Sequence, residues 1–573
     1  MLSLHSIRKI IAQQSLHARI KLGQPVTSWQ LCVLAMIGGL FSAFLIVLFL
    51  WCIESIQLFL LNDVDNYTSL DNVSRLLLPF VGIFCIFIFA RLTGYKYLRS
   101  GIPFVLHRLK VAYGIIPFRN SLNQFFGGIA ALASGFSVGK EGPSVHLGAA
   151  VTGYLGRVLN LPYNSVRTLC ACGVAAGIAA CFNTPIAAVI FVMEVILREY
   201  KVHMFIPIML AAIIGSLVTS TILGPAHAFE YFNIISLEFE HYPTIVLLGI
   251  ALGALAAAFN QNLVFIIGRY QQMHIIRRFV LAATITGCVG FLLPQAMGTE
   301  ASALSVSLST ETAIFTLAGL LLAKCVLTAV TIGLGIPGGV IGPILGIGAI
   351  AGALTANLTG GMSATSPHFI SDFALMGMAG FMAATLNAPL AALLAVVELS
   401  NQLDIVLPAM LVITSACLSA GQLFNNRSIF VMQLNVQQLA YRKPPLENSL
   451  QRIGVLGVFN PSIFVLEQEE QSKGQINLEQ VLDNYDYLVL RIPSSEGDQF
   501  YWNESVDTDT EDHRFRQHKL TPVCSRETLV EAYKILQQKR CGGVYIYDED
   551  PDQILGIITF AQIRRYLVEG KLV

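Results

Sequence analysis

Long apolar runs alternate with short polar stretches along the first three-quarters of the chain, and the pattern stops near residue 430. Leu31–Ile53 holds 23 residues without a charge, and a helix needs about 20 to cross the hydrocarbon of a bilayer. Met204–Ala226, Ile245–Ile267 and Phe279–Met297 read as further spans, whereas Leu76–Ala90, with 15 residues, reads as too short for a simple one. Regions 119–198 and 313–400 are also apolar, but Gly and Pro break them repeatedly. Broken helices are tolerated at membrane depth only where they are buried or line a pathway. Two such regions predict a transport site assembled from half-helices. Beyond residue 432 the pattern changes. Residues 520–568 read strand, helix, strand, strand, helix, with Val544–Tyr547 and Ile554–Ile558 as strands around an Asp-Glu-Asp-Pro turn.

The two broken regions repeat each other. Asn183-Thr-Pro-Ile-Ala-Ala-Val-Ile-Phe-Val-Met-Glu194 matches Asn387-Ala-Pro-Leu-Ala-Ala-Leu-Leu-Ala-Val-Val-Glu398 at six of twelve positions. Gly173, Ala175, Ala179 and Ala180 match Gly377, Ala379, Ala383 and Ala384 at the same offset of 204. Gly142-Pro143 with Gly148 matches Gly342-Pro343 with Gly348 at offset 200. The chain is an internal duplication, with repeats at about 75–225 and 245–432, and its paired breaks point to the site.

Charge sharpens this division. The 573 residues are 54% hydrophobic and 13% charged, with mean hydropathy +0.64 and no net charge. Residues 1–431 carry 21 Lys/Arg and 15 Asp/Glu, and residues 432–573 carry 15 and 21. The first part is far below the roughly 25% charged share of soluble proteins and the second part equals it. This predicts a polar N-terminus (1–27), a membrane domain (28–432) and a soluble tail (433–573). Arg8, Lys9, Arg19 and Lys21 place the N-terminus in the cytoplasm. The loop of Asp63, Asp65 and Asp71 fits the outside, the bases from Arg91 to Lys110 the inside, and Glu300 and Glu311 the outside again. The tail then falls on the cytoplasmic side, and the uncleaved, basic start fits a bacterial inner membrane. No basic run suggests nucleic acid, and the 11 cysteines show no metal-ligand spacing. The apolar region lacks a nucleophile–base pair, metal set or phosphate loop, which argues against an enzyme.

Three segments carry candidate chemistry. Gly139-Lys140-Glu141-Gly142-Pro143 opens a helix within an apolar region, so Glu141 is either a resident anion in an anion site or a structural cap. Gly335-Ile-Pro-Gly-Gly339-Val340-Ile341-Gly342-Pro343 is its counterpart, where backbone amides can face an anion or small residues can simply pack helices. Arg99-Ser100-Gly101-Ile102-Pro103 precedes another helix start, where Ser100 is a halide donor or an N-cap.

Together, in this order, the three segments resemble the CLC family of chloride channels and chloride/proton antiporters over roughly residues 30–432. The resemblance implies an α-helical polytopic fold of two inverted repeats with broken half-helices, working as a homodimer in the lipid bilayer with one pathway per subunit. It implies that Ser100, Gly101, Ile102 and the amides of Val340 and Ile341 hold chloride, and that Glu141 is the gating glutamate. The chain departs from the family at Arg99, which replaces the first Gly of Gly-Ser-Gly-Ile-Pro, and at Ile341, where Phe is usual. Ser100, where proline would favour nitrate, implies chloride, with bromide or nitrate as lesser anions, and the motif excludes the fluoride branch. Antiporters of the family often place a proton-carrying acid after the Glu that ends the Asn-x-Pro frame. Here Glu194 is followed by Val195. The central tyrosine of the family aligns with Phe430, which lacks a hydroxyl donor. These two changes point first to a passive chloride channel. The alternative is a chloride/proton antiporter in which Glu194 or water brings protons to Glu141. A transport-dead receptor signalling through its tail is a third reading, opposed by intact Ser100 and Glu141. Lys324 reads as a partner of a helix end, not a ligand, and His146 as a packed histidine.

The tail resembles a small α/β CBS domain pair, with a divergent first copy at 444–515 containing Tyr487–Ile492 as a strand and a second at about 520–568. Gly556-Ile-Ile-Thr559 matches the closing motif. In nucleotide-binding copies an Asp follows that Thr by three residues. Gln562 stands there, which counts against an adenine nucleotide and leaves scaffolding and gating of the pore as the roles. No other cofactor is implied. The acidic stretch 504–512 reads as a solvated linker.

Overall fold

The computed structural model describes residue 16 and residues 18–94, 101–224, 239–308, 313–359, 367–439, 445–467, 484–493, 498–506 and 514–569. They form two compact units. One comprises residues 32–155 and 168–442, and the other comprises 1–31, 156–167 and 443–573.

The first unit is helical. Its opening helices are α1 (Trp29–Leu60), α2 (Asn72–Leu92), α3 (Gly101–Val111) and α4 (Phe118–Ala133). Then follow α5 (Glu141–Val158), α6 (Tyr163–Phe182), α7 (Pro185–Phe191, with a π turn to Leu197) and α8 (Val202–Leu223). The second half runs α9 (Tyr242–Tyr270), α10 (Ile275–Leu292), α11 (Ala301–Ser307) and α12 (Ile314–Leu334). It closes with α13 (Ile341–Thr359), α14 (Pro367–Leu386), α15 (Pro389–Ser400), α16 (Val406–Leu418) and α17 (Ile429–Val436). Ten helices among the described residues are long and apolar enough to cross a membrane. The expected spans fall on α1, α8, α9 and α10, although α8 ends at Leu223, with 225–226 of the expected Met204–Ala226 outside the described residues, and α10 ends at Leu292, before the turn at Pro294. Leu76–Ala90 corrects the reading of its length. It is the centre of the 21-residue α2, whose polar first turn (Asn72, Ser74, Arg75) is capped by the Asp71 carboxylate on the Val73 and Ser74 amides.

The repeats meet by reciprocal contacts. Gly139 N donates to Gly339 O and Gly339 N to Gly139 O, each at 2.7 Å, in an antiparallel bridge. Glu398 accepts from the amides of Ile186 (2.9 Å) and Ala187 (2.7 Å) at the start of α7. Glu194 does the same for Leu390 (3.3 Å) and Ala391 (2.7 Å) at the start of α15. When residue i of one copy meets j of the other and the converse also holds, a two-fold axis relates the copies, which is the inverted repeat. Inside each copy a glycine pair lets two buried helices touch backbone to backbone. A Cβ on Gly148 or Gly173 would strike the other's carbonyl, and the same holds for Gly348 and Gly377.

The second unit contains two sheets of like path. β1 (Ile463–Glu467) runs parallel to β2 (Tyr487–Ile492), which pairs antiparallel with β3 (Gln499–Val506), which pairs antiparallel with β4 (Arg514–Lys519). β5 (Thr521–Cys524) runs parallel to β6 (Gly543–Tyr547), and β6 is antiparallel to β7 (Gly556–Thr559). Val489, Phe500, Leu520, Tyr545 and Ile557 form a core drawn from both sheets. The unit is not one continuous tail. Asn164 and Ser165, in the first turn of α6, donate to the Leu22 carbonyl at 3.0 and 2.7 Å, and Arg19 pairs with Asp548 at 2.8 Å. The stretch expected to be an acidic linker begins inside β3. Glu504 lies opposite Arg516 and meets the His518 ring nitrogen at 2.8 Å, and the cation directly opposite makes a strand position favourable for it. Residues 507–513 lie outside the described residues.

Candidate anion pathway

The Gly139–Gly339 bridge sets the site. Immediately after it the chain enters α5 at Glu141 on one side and α13 at Ile341 on the other, with Pro143 and Pro343 each in a first turn where no amide is missed. Gly335 ends α12 with φ 95°, a left-handed turn that a side chain would oppose, and so directs Ile336–Gly339 toward the bridge.

Glu141 is fully buried. A Cβ on Gly139, Gly339 or Gly342 would run into its carboxylate oxygens, so three glycines leave open the space that the carboxylate fills. Neither Glu141 oxygen has a hydrogen-bond partner among the described residues. A bare carboxylate at membrane depth is expensive, by about 2.5–3.5 kcal/mol on insertion scales, and a group kept at that expense is kept for its charge or its proton.

On the other side of Gly339 lies a cavity of about 620 Å³. Gly101 and Ile102 at the start of α3, Val340 before α13, Phe430 at the start of α17 and Arg278 line it. Three helix N-termini with their free amides thus face one space, which favours an anion without a cation at its centre. Ser100 and Arg99 lie outside the described residues. Of the residues expected to bind chloride, Gly101, Ile102, Val340 and Phe430 come together here, while Ile341 lies buried in the first turn of α13. Lys140 rises beside the bridge, 5.7 Å above the Phe182 ring. Gly142 packs so closely on Gly338 that a Cβ would strike its carbonyl.

Glu194 is committed elsewhere. Both of its oxygens cap α15, so it serves the inverted repeat rather than pointing free toward Glu141. Val195 is buried beside it and carries no proton. Lys324 is fully buried and donates to the carbonyls of Ala296 and Met297 at 3.3 Å and of Gly298 at 2.9 Å, anchoring the turn before α11. His146 stacks on Phe104 at 5.7 Å, with Nε2 3.4 Å from Ser121 Oγ. In the second unit, Thr559 and Gln562 cap the helix Phe560–Glu569. Gln562 Oε1 accepts from Thr559 N at 2.8 Å, and Gln562 N donates to Thr559 Oγ1 at 3.2 Å.

Residues 81–421 match the voltage-gated chloride channel family, and this stretch covers most of both repeats and the whole glutamate cradle. The chain belongs to the CLC family. Among curated relatives, a putative ClcB-like chloride channel protein of Ralstonia nicotianae is 29% identical over 396 residues, 65% of this chain and 89% of the relative. The H(+)/Cl(-) exchange transporter ClcA of Vibrio campbellii is 28% identical over 346 residues, 59% of this chain and 74% of the relative. Among solved structures, a slow cyanobacterial Cl-/H+ antiporter superposes with a TM-score of 0.62 at 20% identity, over 72% of this chain and 99% of the other. The chain therefore has the helical CLC fold and is a multi-pass membrane protein of an anion-transport family, not of an enzyme family.

Sequence reasoning missed two acids. Glu398 was matched to Glu194 only as a repeat marker, although their shared place at the end of an Asn-x-Pro helix already hinted at exchanged caps. Glu300 was read only as an outer-loop charge. No spacing in the sequence links it to Glu141, because the fold alone brings α11 against α13.

Proposed function

We propose that the protein exchanges chloride for protons, with Glu141 as the group that competes with chloride and carries the proton. The observation that carries this reading is the carboxylate of Glu141. It is sealed in a three-glycine cradle, without hydrogen-bond partners, next to a cavity faced by helix N-termini. Ionised, it occupies the anion seat. Protonated, it has no reason to stay there, and chloride replaces it. The names of ClcA and of the solved antiporter support exchange over the passive channel that Val195 and Phe430 suggest. With Glu194 occupied as a cap, the proton route on the inner side is water in the cavity of Phe430 and Val340, separated from Glu141 by Gly339.

The anion is chloride, held by Ser100 and by the amides at Gly101, Ile102, Val340 and Ile341. The protein works as a homodimer in a bacterial inner membrane with both termini cytoplasmic. The second unit is a CBS-like pair. Its Gln562 amide is taken up by a helix cap, which supports scaffolding. Arg540, Arg564 and Arg565 line a cavity of about 480 Å³ beside it, so a thermal shift on adding ATP is the result that would instead favour sensing. The main test is to load liposomes with chloride and follow the outside pH during efflux. Uphill proton movement driven by chloride supports exchange, and chloride efflux without proton movement supports the channel.

A further inference from the structure

Glu141 is not the sole buried acid at the bridge. Glu300, at the N-terminal end of α11, is 7% exposed. Its Oε1 lies 3.9 Å from Lys140 Nζ, and its Oε2 is buried without a hydrogen-bond partner. The position of Oε2 follows from Gly342, where an added Cβ would collide with Glu300 Oε2 and with Glu141 Oε1 alike. Two carboxylates from different elements, each with an unpartnered oxygen, therefore share the small space over one glycine. Gly346 packs against the Glu300 backbone one turn further along α13, which holds the acid in place. Lys140, whose side chain is 30% exposed, is the cation beside this pair.

The remaining charged and titratable groups around the pair are few. Asp65, in the α1–α2 turn, accepts from Thr299 N at 3.1 Å and Oγ1 at 2.8 Å, next to Glu300 in sequence. Lys324 on α12 holds the carbonyls of the same turn. Cys181 on α6 and Glu54 on α1 are near enough to act electrostatically on Lys140. Asp65 and Lys324 are thus each satisfied by the turn they pin, and the turn presents Glu300 to Glu141.

We propose that Glu300 is the outer proton-relay partner of Glu141, and that the two carboxylates share one proton with Lys140 as their counter-charge. Each of two carboxylates this close raises the cost of ionising the other, and one proton between them relieves that repulsion. In the transfer step a proton from outer water binds the Glu300 carboxylate. It then passes to Glu141, directly or through one water, which leaves Glu300 ionised and Glu141 neutral. Neutral Glu141 leaves the anion seat. The inference rests on Glu141 as the proton-bearing gate, and it deepens that reading by naming the group that loads it.

The test is the dependence of chloride flux on outer pH in liposomes, for the wild type, E300Q and E300D. Removing a neighbouring negative charge makes Glu141 harder to protonate. In E300Q the pH midpoint of chloride flux should move about one unit toward acid, with flux retained at low pH, and proton exchange at a fixed pH should slow by about tenfold, the factor that one unit represents. E300D, which keeps the acid on a shorter arm, should restore part of both. An E300Q profile that superimposes on the wild type overturns the proposal. So does a uniform loss at every pH with an unmoved midpoint, the mark of a purely structural partner for Lys140. If E300Q yields no flux, E300D carries the same readout, and a wild-type midpoint in E300D counts against the relay. A wild type that moves no protons but shows the E300Q midpoint shift ends the exchange reading and leaves this inference standing. A wild-type chloride flux that ignores outer pH ends both.

Discussion

At an offset of 200 residues, Gly139-Lys140-Glu141-Gly142-Pro143 in the first repeat faces Gly339-Val340-Ile341-Gly342-Pro343 in the second. The three shared residues build the backbone: a bridge, a close approach and a helix start. The two that differ supply the chemistry. In the first repeat they are a cation and an acid; in the second they are two apolar residues whose amides remain available. The pair at offset 204 behaves oppositely. Glu194 and Glu398 are both retained, and each caps the other repeat's helix. In this protein symmetric acids hold the repeats together, and the acid without a counterpart sits in the glycine cradle beside the cavity. A buried charge is tolerated in the first case because backbone amides answer it, and in the second, as we propose, because it gates an ion.

The largest test of this contrast is E141Q. It should lower proton flux by at least about a hundredfold and make chloride flux independent of pH, as read by chloride and pH electrodes on the same liposomes. Retained proton flux would move the gate away from the asymmetric position. Next in size is G342A, whose methyl would enter the space of both carboxylates. Overpacking of this kind costs about 1–3 kcal/mol, and thermal unfolding in detergent should fall accordingly. G319A, on α12 with nothing within 4 Å of the added Cβ, should be neutral or slightly stabilising.

E194A and E398A should then destabilise to a similar degree, by about 1–2 kcal/mol each, the scale of a lost helix cap. Equal losses with proton flux intact uphold the symmetric role. Proton flux lost in E194A alone would make Glu194 a proton route after all. The smallest effect belongs to Arg19 and Asp548 in the second unit. Burial works to raise the Asp548 carboxyl, but hydrogen bonds from Arg19 and Ser525 outweigh it and hold the group below its ordinary value. Its stabilising contribution is therefore complete above the unfolded value of about 3.9 and lost as pH falls through the lower folded one. R19A should remove at most about 1 kcal/mol at neutral pH, read as faster hydrogen exchange over residues 18–23. The difference between R19A and wild type should shrink in acid.

Much of the pathway was legible in the sequence because it is written in local patterns. Gly-Pro helix starts, the Asn-x-Pro frame and the offsets of 200 and 204 located α5, α7, α13 and α15 and singled out Glu141 and Val340, while Phe430 came only from the family resemblance. What the sequence did not reveal depends on contacts between distant elements. The exchange of caps by Glu194 and Glu398 needs the two-fold axis, and Glu300 reaches Glu141 only because the turn pinned by Asp65 and Lys324 brings α11 onto α13. Leu76–Ala90 was misjudged for a different reason. Polar residues at a helix end lengthen a span that hydropathy alone truncates.

The central claim is that protons and chloride share Glu141. Reversal potential in planar bilayers or liposomes tests it most directly, first under a chloride gradient and then with a pH gradient added. Exchange through Glu141 gives a reversal potential displaced from the chloride Nernst value and shifted again by the pH gradient. A potential that follows chloride alone and ignores pH would contradict it and make the pathway a passive one.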